Sequence, residues 1–174
     1  MDALPFGRDR EMTEGPRIAN PTIAVAESCT GGMLMTRFVE TPGSGDWFLG
    51  GVVAYQAEIK FLLLDVPEGP VITEQAAQAM AAGVRRLLRS DIGIATTGVA
   101  GPDIEEGVPV GTVFIGVSES NSEKVIRLEL DGDPDQVRRA ASEHAYRYAV
   151  GGLPQVEEAS TDAGQPASNI AVKS

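Results

Sequence analysis

Between residues 22 and 150, short β-rich runs alternate with segments of helical period, and this alternation confines the chain to an α/β architecture. Residues 22–26 (TIAVA) form an apolar run closed by polar residues, the pattern of a buried strand. Residues 30–40 read as a helix with Met33, Leu34 and Phe38 near one face, stopped by Pro42-Gly43. A second strand-like run covers 47–55, and a short helix over 57–64 closes at Val66-Pro67. The clearest helical period spans 73–89. Thr73 is its predicted N-cap, and Ala76, Met80, Val84, Leu87 and Leu88 form its inward face. Residues 91–97 are a third strand, running into the glycine-rich turn 98–103. The runs 111–118 and 124–130, separated by ESNSE at 119–123, predict a hairpin. Asp133 and Pro134 open a last helix that turns Val137, Ala141, Ala145 and Tyr148 inward and ends at Gly151. Five strands among helices predict a three-layer α/β/α domain, and the late hairpin makes its sheet mixed rather than wholly parallel.

The ends have a different composition. Residues 1–21 carry mixed charge, three prolines and no periodicity, and are expected to be a mobile leader. Residues 151–174 are rich in Gly, Ser, Ala and polar groups, a composition too poor in apolar surface to offset ordering entropy, so a flexible tail is expected. The formal net charge is −11, which argues against nucleic acid or an anionic membrane as the main partner. One cysteine and one histidine exclude an internal disulfide framework and a zinc site built on paired histidines or several cysteines. No apolar run has the length of a membrane span, and the N-terminus lacks a signal-peptide hydrophobic stretch. The expected location is the cytoplasm, with chemistry drawn from hydroxyls, lysines, carboxylates or backbone.

Three places offer such chemistry. The segment AESCTGG (26–32) lies where a strand gives way to a helix, the place where α/β folds put ligands. Free N–H groups there suit a phosphate or an oxyanion, and Gly31 and Gly32 let a ligand approach the backbone. Equally, Ser28 or Thr30 caps the helix and does nothing more. Tyr55 and Lys60 form the second place. A lysine turned back toward the sheet edge can act as base for Ser28 if burial leaves it neutral, with Tyr55 relaying the proton. The bland alternative is a snorkelling surface lysine beside a half-buried tyrosine. The third place is TTGVAGPD (96–103) with PVGT (109–112), either a backbone nest for anions or a tight turn.

Taken together, these pieces resemble the C-terminal domain of the competence/damage-inducible protein CinA, also found as stand-alone nicotinamide-nucleotide amidohydrolases. The resemblance rests on AESCTGG (26–32), Pro42-Gly43-Ser44 before Trp47-Phe48, VAYQAEIK (53–60), TGVAGPD (97–103), PVGTV (109–113) and GDPDQVRR (132–139), in family order across 22–150. It implies a mixed five-stranded sheet flanked by helices, similar to the anticodon-binding-domain-like fold. It also implies hydrolysis of nicotinamide mononucleotide to nicotinic acid mononucleotide and ammonia, in recycling of the pyridine ring toward NAD. The family's catalytic serine, lysine and tyrosine fall on Ser28, Lys60 and Tyr55. Substrate contacts are expected from Thr30, Gly31, Gly32, Thr97, Gly98, Gly101, Asp103 and, by motif position, Arg138. Family members often carry an N-terminal pyrophosphatase-like domain, which this chain is too short to contain. The chain departs from the family at 66–73, which is short and ends in Thr73 where a serine is usual. It departs again at Ile104-Glu105-Glu106, where small glycine-rich residues are common.

The expected mechanism has a neutral Lys60 take the Ser28 proton, directly or through Tyr55, with backbone N–H groups at the first helix start stabilising the oxyanion. It calls for no metal and no cofactor, and for a small-molecule pyridine nucleotide as the partner; a pair of subunits is expected. Two rivals stand beside it. In one, Cys29 is the nucleophile, activated by the helix N-terminus. In the other, the chain is a non-catalytic nucleotide- or partner-binding module.

Overall fold

The computed structural model describes residues 21–151. The expected leader and tail lie outside the described residues except for Pro21 and Gly151. In chain order the elements are β1 (Ile23–Glu27), α1 (Met33–Val39), β2 (Phe48–Val53), α2 (Ala57–Leu64), α3 (Glu74–Leu88), β3 (Ile92–Gly98), β4 (Thr112–Ser118), β5 (Glu123–Glu129) and α4 (Pro134–Gly151). The strands form one sheet in the order β2-β1-β3-β4-β5. β1 runs parallel to both β2 and β3, whereas β4 is antiparallel to β3 and to β5. The sheet is mixed, as the hairpin requires.

Because successive strand residues point to opposite faces, β1 serves two cores at once. Ile23 and Val25 pack with Phe38 of α1, with Trp47, and with Tyr146 of α4. Ala24 and Ala26 pack with Leu64 of α2 and with Met80 and Val84 of α3. Those two sets are the outer layers of the α/β/α sandwich. Phe38 is the hub of the first: its ring lies 5.7 Å from Trp47, 5.0 Å from Phe48 and 5.4 Å from Tyr146. Complete burial of such a side chain stabilises the fold by about 1.5–3 kcal/mol.

Local signals set the helix ends. Thr73 caps α3, its hydroxyl accepting from the Ala76 amide at 3.0 Å, so this departure from the family's serine keeps a capping hydroxyl. Asp133 caps α4 by accepting from the amides of Asp135 and Gln136, both at 2.9 Å, and Gln136 reciprocates to the Asp133 amide. Three expectations need correction. α1 begins at Met33 rather than at residue 30, because 28–32 form a turn ending on Gly32 at φ 103°. On α3 the packed face includes Ala77, Ala81 and Gly83, while Leu87 is exposed. On α4, Tyr146 and Ala149 face inward and Tyr148 does not. Both misassigned residues sit near a helix end at the margin of the apolar stripe, where the phase of the packed face decides the side.

Candidate active site

Parallel pairing of β1 with β2 and β3 brings the carboxyl ends of all three strands to one edge of the sheet. The segments that leave that edge enclose a cavity of about 530 Å³. Of the predicted site residues, Ser28, Thr30, Gly31, Tyr55, Lys60, Thr97, Gly98, Gly101, Asp103 and Arg138 all line it. Gly32 does not. It faces a shallower groove between α1 and α4.

Ser28 extends the β1–β3 ladder by one bond, its amide donating to the Thr96 carbonyl at 2.9 Å. Its carbonyl accepts from the Gly31 amide at 3.1 Å, closing the turn. The Ser28 hydroxyl makes no hydrogen bond among the described residues. Neither Ser28 nor Thr30 caps α1. The Thr30 hydroxyl is buried against that of Thr96 at 2.7 Å, which fixes the turn and leaves its polar group engaged. The cap is Glu27, which is fully buried. Its carboxylate accepts from the amides of Gly32 at 2.9 Å, Leu34 at 3.1 Å and Met35 at 2.7 Å. The protein's own anion therefore fills the start of α1, and the helix end is closed to a phosphate or oxyanion. The amides of Cys29 and Thr30 remain. They lie against the Cys29 sulfur and donate to no oxygen among the described residues.

Lys60 is 1% exposed on α2, and its ammonium donates to the main-chain carbonyl of Tyr55 at 3.0 Å. Burial pulls its pKa below the ordinary lysine value. The negative field of Glu105, Glu106 and Glu58 opposes that shift without cancelling it. The snorkelling alternative is thereby excluded. Tyr55 holds Lys60 through its carbonyl, the residue is 67% exposed at the cavity mouth, and its hydroxyl makes no hydrogen bond to Ser28 or Lys60 among the described residues. Burial pushes the Cys29 thiol up to about 12, opposite to the lowered value that a thiolate nucleophile needs. That removes the physical basis of the cysteine rival.

Across the cavity, the Thr97 hydroxyl donates to the Val71 carbonyl at 2.8 Å, so it ties the wall instead of being free for a ligand. A methyl group on Gly98 would lie 2.5 Å from the Thr112 carbonyl oxygen, so this glycine answers to the packing of β3 on β4. Asp103 is exposed at the rim, and Arg138 reaches the cavity from α4 while pairing loosely with Asp135 at 3.6 Å. Both departures from the family border the cavity, through Val71 and Ile72 on one side and Glu105 and Glu106 on the other. Sequence reasoning missed Glu27 and the contact of Glu106 with Val71 and Ile72. Glu27 carried a signal: a carboxylate closing an apolar strand must find donors once buried. Glu106 carried none, since its partners lie 34 and 35 residues away in sequence. Among the described residues, no group of three or more His, Cys, Asp or Glu is placed to hold a metal ion. No described helix is long and apolar enough to cross a membrane.

The family model described as the CinA C-terminal domain matches residues 10–151. A CinA-like protein of Frankia casuarinae is 42% identical over 153 residues, which cover 83% of this chain and 35% of that protein. A CinA-like protein of Thermotoga neapolitana is 44% identical over 123 residues, 67% of this chain and 30% of the relative. This chain thus spans about a third of the length of the curated relatives it matches. Among solved structures, the competence damage-inducible protein A of Klebsiella pneumoniae aligns with a TM-score of 0.73 and 29% identity, over 76% of this chain and 86% of that one. A CinA superfamily protein of Enterobacter cloacae gives a TM-score of 0.72 and 28% identity, over 75% and 81%. With the same mixed sheet, the same motifs in order and a family model that covers most of its length, the chain belongs to the CinA C-terminal domain family.

Proposed function

We propose that the chain is an amidohydrolase that converts nicotinamide mononucleotide to nicotinic acid mononucleotide and ammonia, in recycling of the pyridine ring toward NAD. The observation that carries this reading is a buried lysine, its pKa lowered by burial, opening on the same cavity as an unengaged serine hydroxyl at a strand end. Neutral Lys60 accepts the Ser28 proton as the oxygen attacks the amide carbon. The amides of Cys29 and Thr30, not those of α1, donate to the oxyanion. The C–N bond then breaks, the leaving nitrogen takes the proton from Lys60, and ammonia departs. Water adds to the acyl-enzyme with Lys60 again as base, which releases the carboxylate product and restores Ser28. Tyr55 contributes the carbonyl that holds Lys60; comparing Tyr55→Phe, which keeps that carbonyl, with the parent isolates any part played by the hydroxyl.

The test is ammonia release from nicotinamide mononucleotide by purified protein, with the nucleotide product identified by chromatography. Ser28→Ala and Lys60→Ala are each expected to lose at least about a thousandfold in rate, and the double variant little more, because the two act as one unit. Binding of the nucleotide without ammonia release would favour the non-catalytic module instead.

A further inference from the structure

Residues 105–108 form a tight turn in which the Val108 amide donates to the Glu105 carbonyl at 2.8 Å. Its two central residues, Glu106 and Gly107, both have left-handed backbones, φ 50° and 76°. Turns of that kind favour Asn, Asp or Gly, which tolerate positive φ, and a glutamate there is held at some cost. The side chain supplies the reason. The Glu106 carboxylate accepts from the Val71 amide at 2.9 Å and from the Ile72 amide at 2.9 Å. Val71 is tied a second time through its carbonyl, by the Thr97 hydroxyl. Val71 packs with Leu64 and Val66 beside α2, and Ile72 packs with Val99 and Phe114 beside the sheet, so the pair bridges the two sides of the cavity.

We propose that Glu106 is a positioning residue: its carboxylate clamps the segment before α3 onto the connection between β3 and β4, and so holds closed the wall that keeps water from Lys60. The charges around the Lys60 ammonium are Glu58 on its own helix, Glu105 and Glu106 on the clamping turn, and Asp103 and Arg138 at the cavity lining; the Cys29 thiol faces it from the β1–α1 turn and stays neutral. Glu106 thus acts in two opposed ways. Its geometry shields Lys60, while its negative charge favours the ammonium.

Two variants separate those effects. Glu106→Asn suits the turn at least as well and is not expected to unfold the protein, yet it is one methylene too short for the clamp. Glu106→Gln keeps the reach and one acceptor oxygen but loses the charge. The chain has three lysines, so Lys60 can be followed by NMR with [¹³Cε]lysine and assigned by its loss in Lys60→Ala. Amide hydrogen exchange at Val71 and Ile72 reads the clamp itself. In the wild type those amides are expected to be protected. In Glu106→Asn they should exchange about tenfold faster, with Lys60 titrating higher, closer to an ordinary lysine, than in the equally uncharged Glu106→Gln. In Glu106→Gln protection should persist, and Lys60 should titrate no higher than in the wild type. Unprotected amides in the wild type, or a Lys60 titration in Glu106→Asn no higher than in the equally uncharged Glu106→Gln, would overturn the proposal. Neither readout needs turnover, so failure of the amidohydrolase reading leaves the clamp decided on its own measurements.

Discussion

A lysine ammonium taken out of water loses the hydration that stabilises its charge, and Lys60 is 1% exposed. Its folded pKa lies below the unfolded value, so the folded state resists protonation there. The destabilisation is full below the folded pKa, and stability recovers as pH rises toward the ordinary lysine value. Two outcomes follow. The kcat/KM profile for ammonia release should rise with pH through an acid limb that lies below 10.5, the ordinary lysine value, as Lys60 loses its proton. Lys60→Met should abolish turnover yet raise Tm at pH 7, by about 2–4 °C for each kcal/mol recovered, measured by calorimetry. The neighbouring nucleophiles divide as sharply. Cys29→Ala should keep activity within about threefold, because a thiol that titrates at about 12 supplies almost no thiolate, while Ser28→Ala should be inactive.

Among the elements, α1 depends most on one side chain. Seven residues are too few to be stable alone, and the amides of its first turn are satisfied by Glu27. Glu27→Ala is expected to cost about 2 kcal/mol or more, because it strands buried donors, and to disorder the turn that carries Ser28. Urea midpoints and backbone amide shifts of 28–35 check both effects. α2 holds Lys60 against the sheet by packing on α3 at Gly83. There an added methyl would meet the Leu64 carbonyl oxygen at 2.2 Å. Helix propensity favours Gly83→Ala by about 0.5–1 kcal/mol, whereas this contact predicts net destabilisation and a displaced α2. Thermal unfolding of that variant decides which effect dominates.

For the molecule as a whole, the sheet edge is what assembles the site. Three strands end together, and five separate segments contribute to one cavity in a chain whose net charge is −11. The phosphorylated substrate proposed for this acidic protein needs local donors, and among the described residues the cavity offers the amides of Cys29 and Thr30 and the half-exposed Arg138, which is only loosely paired with Asp135. Salt should therefore affect KM for the nucleotide more than kcat. Because the proposed chemistry runs through Ser28 and Lys60 alone, exhaustive chelation is expected to leave ammonia release unchanged.

The layers, the mixed sheet and the caps Thr73 and Asp133 were legible in the residues, because strand and helix periods, hairpin spacing and capping chemistry act over a few positions in the chain. So were ten of the eleven expected site residues, which motif and strand-end position brought to one cavity. Roles were harder to read. That Thr97 and Glu106 hold Val71 depends on contacts 26 and 35 residues apart in sequence. That Glu27 closes α1 and that Tyr55 meets Lys60 by its carbonyl are contacts between near neighbours in the chain, but their geometry exists only once β1, α1 and α2 are packed on the sheet. Burial, which lowers Lys60 and raises Cys29, exists only once those segments pack together. Local chemistry chose the candidate residues, and tertiary exclusion of water decided which protonation state each of them favours.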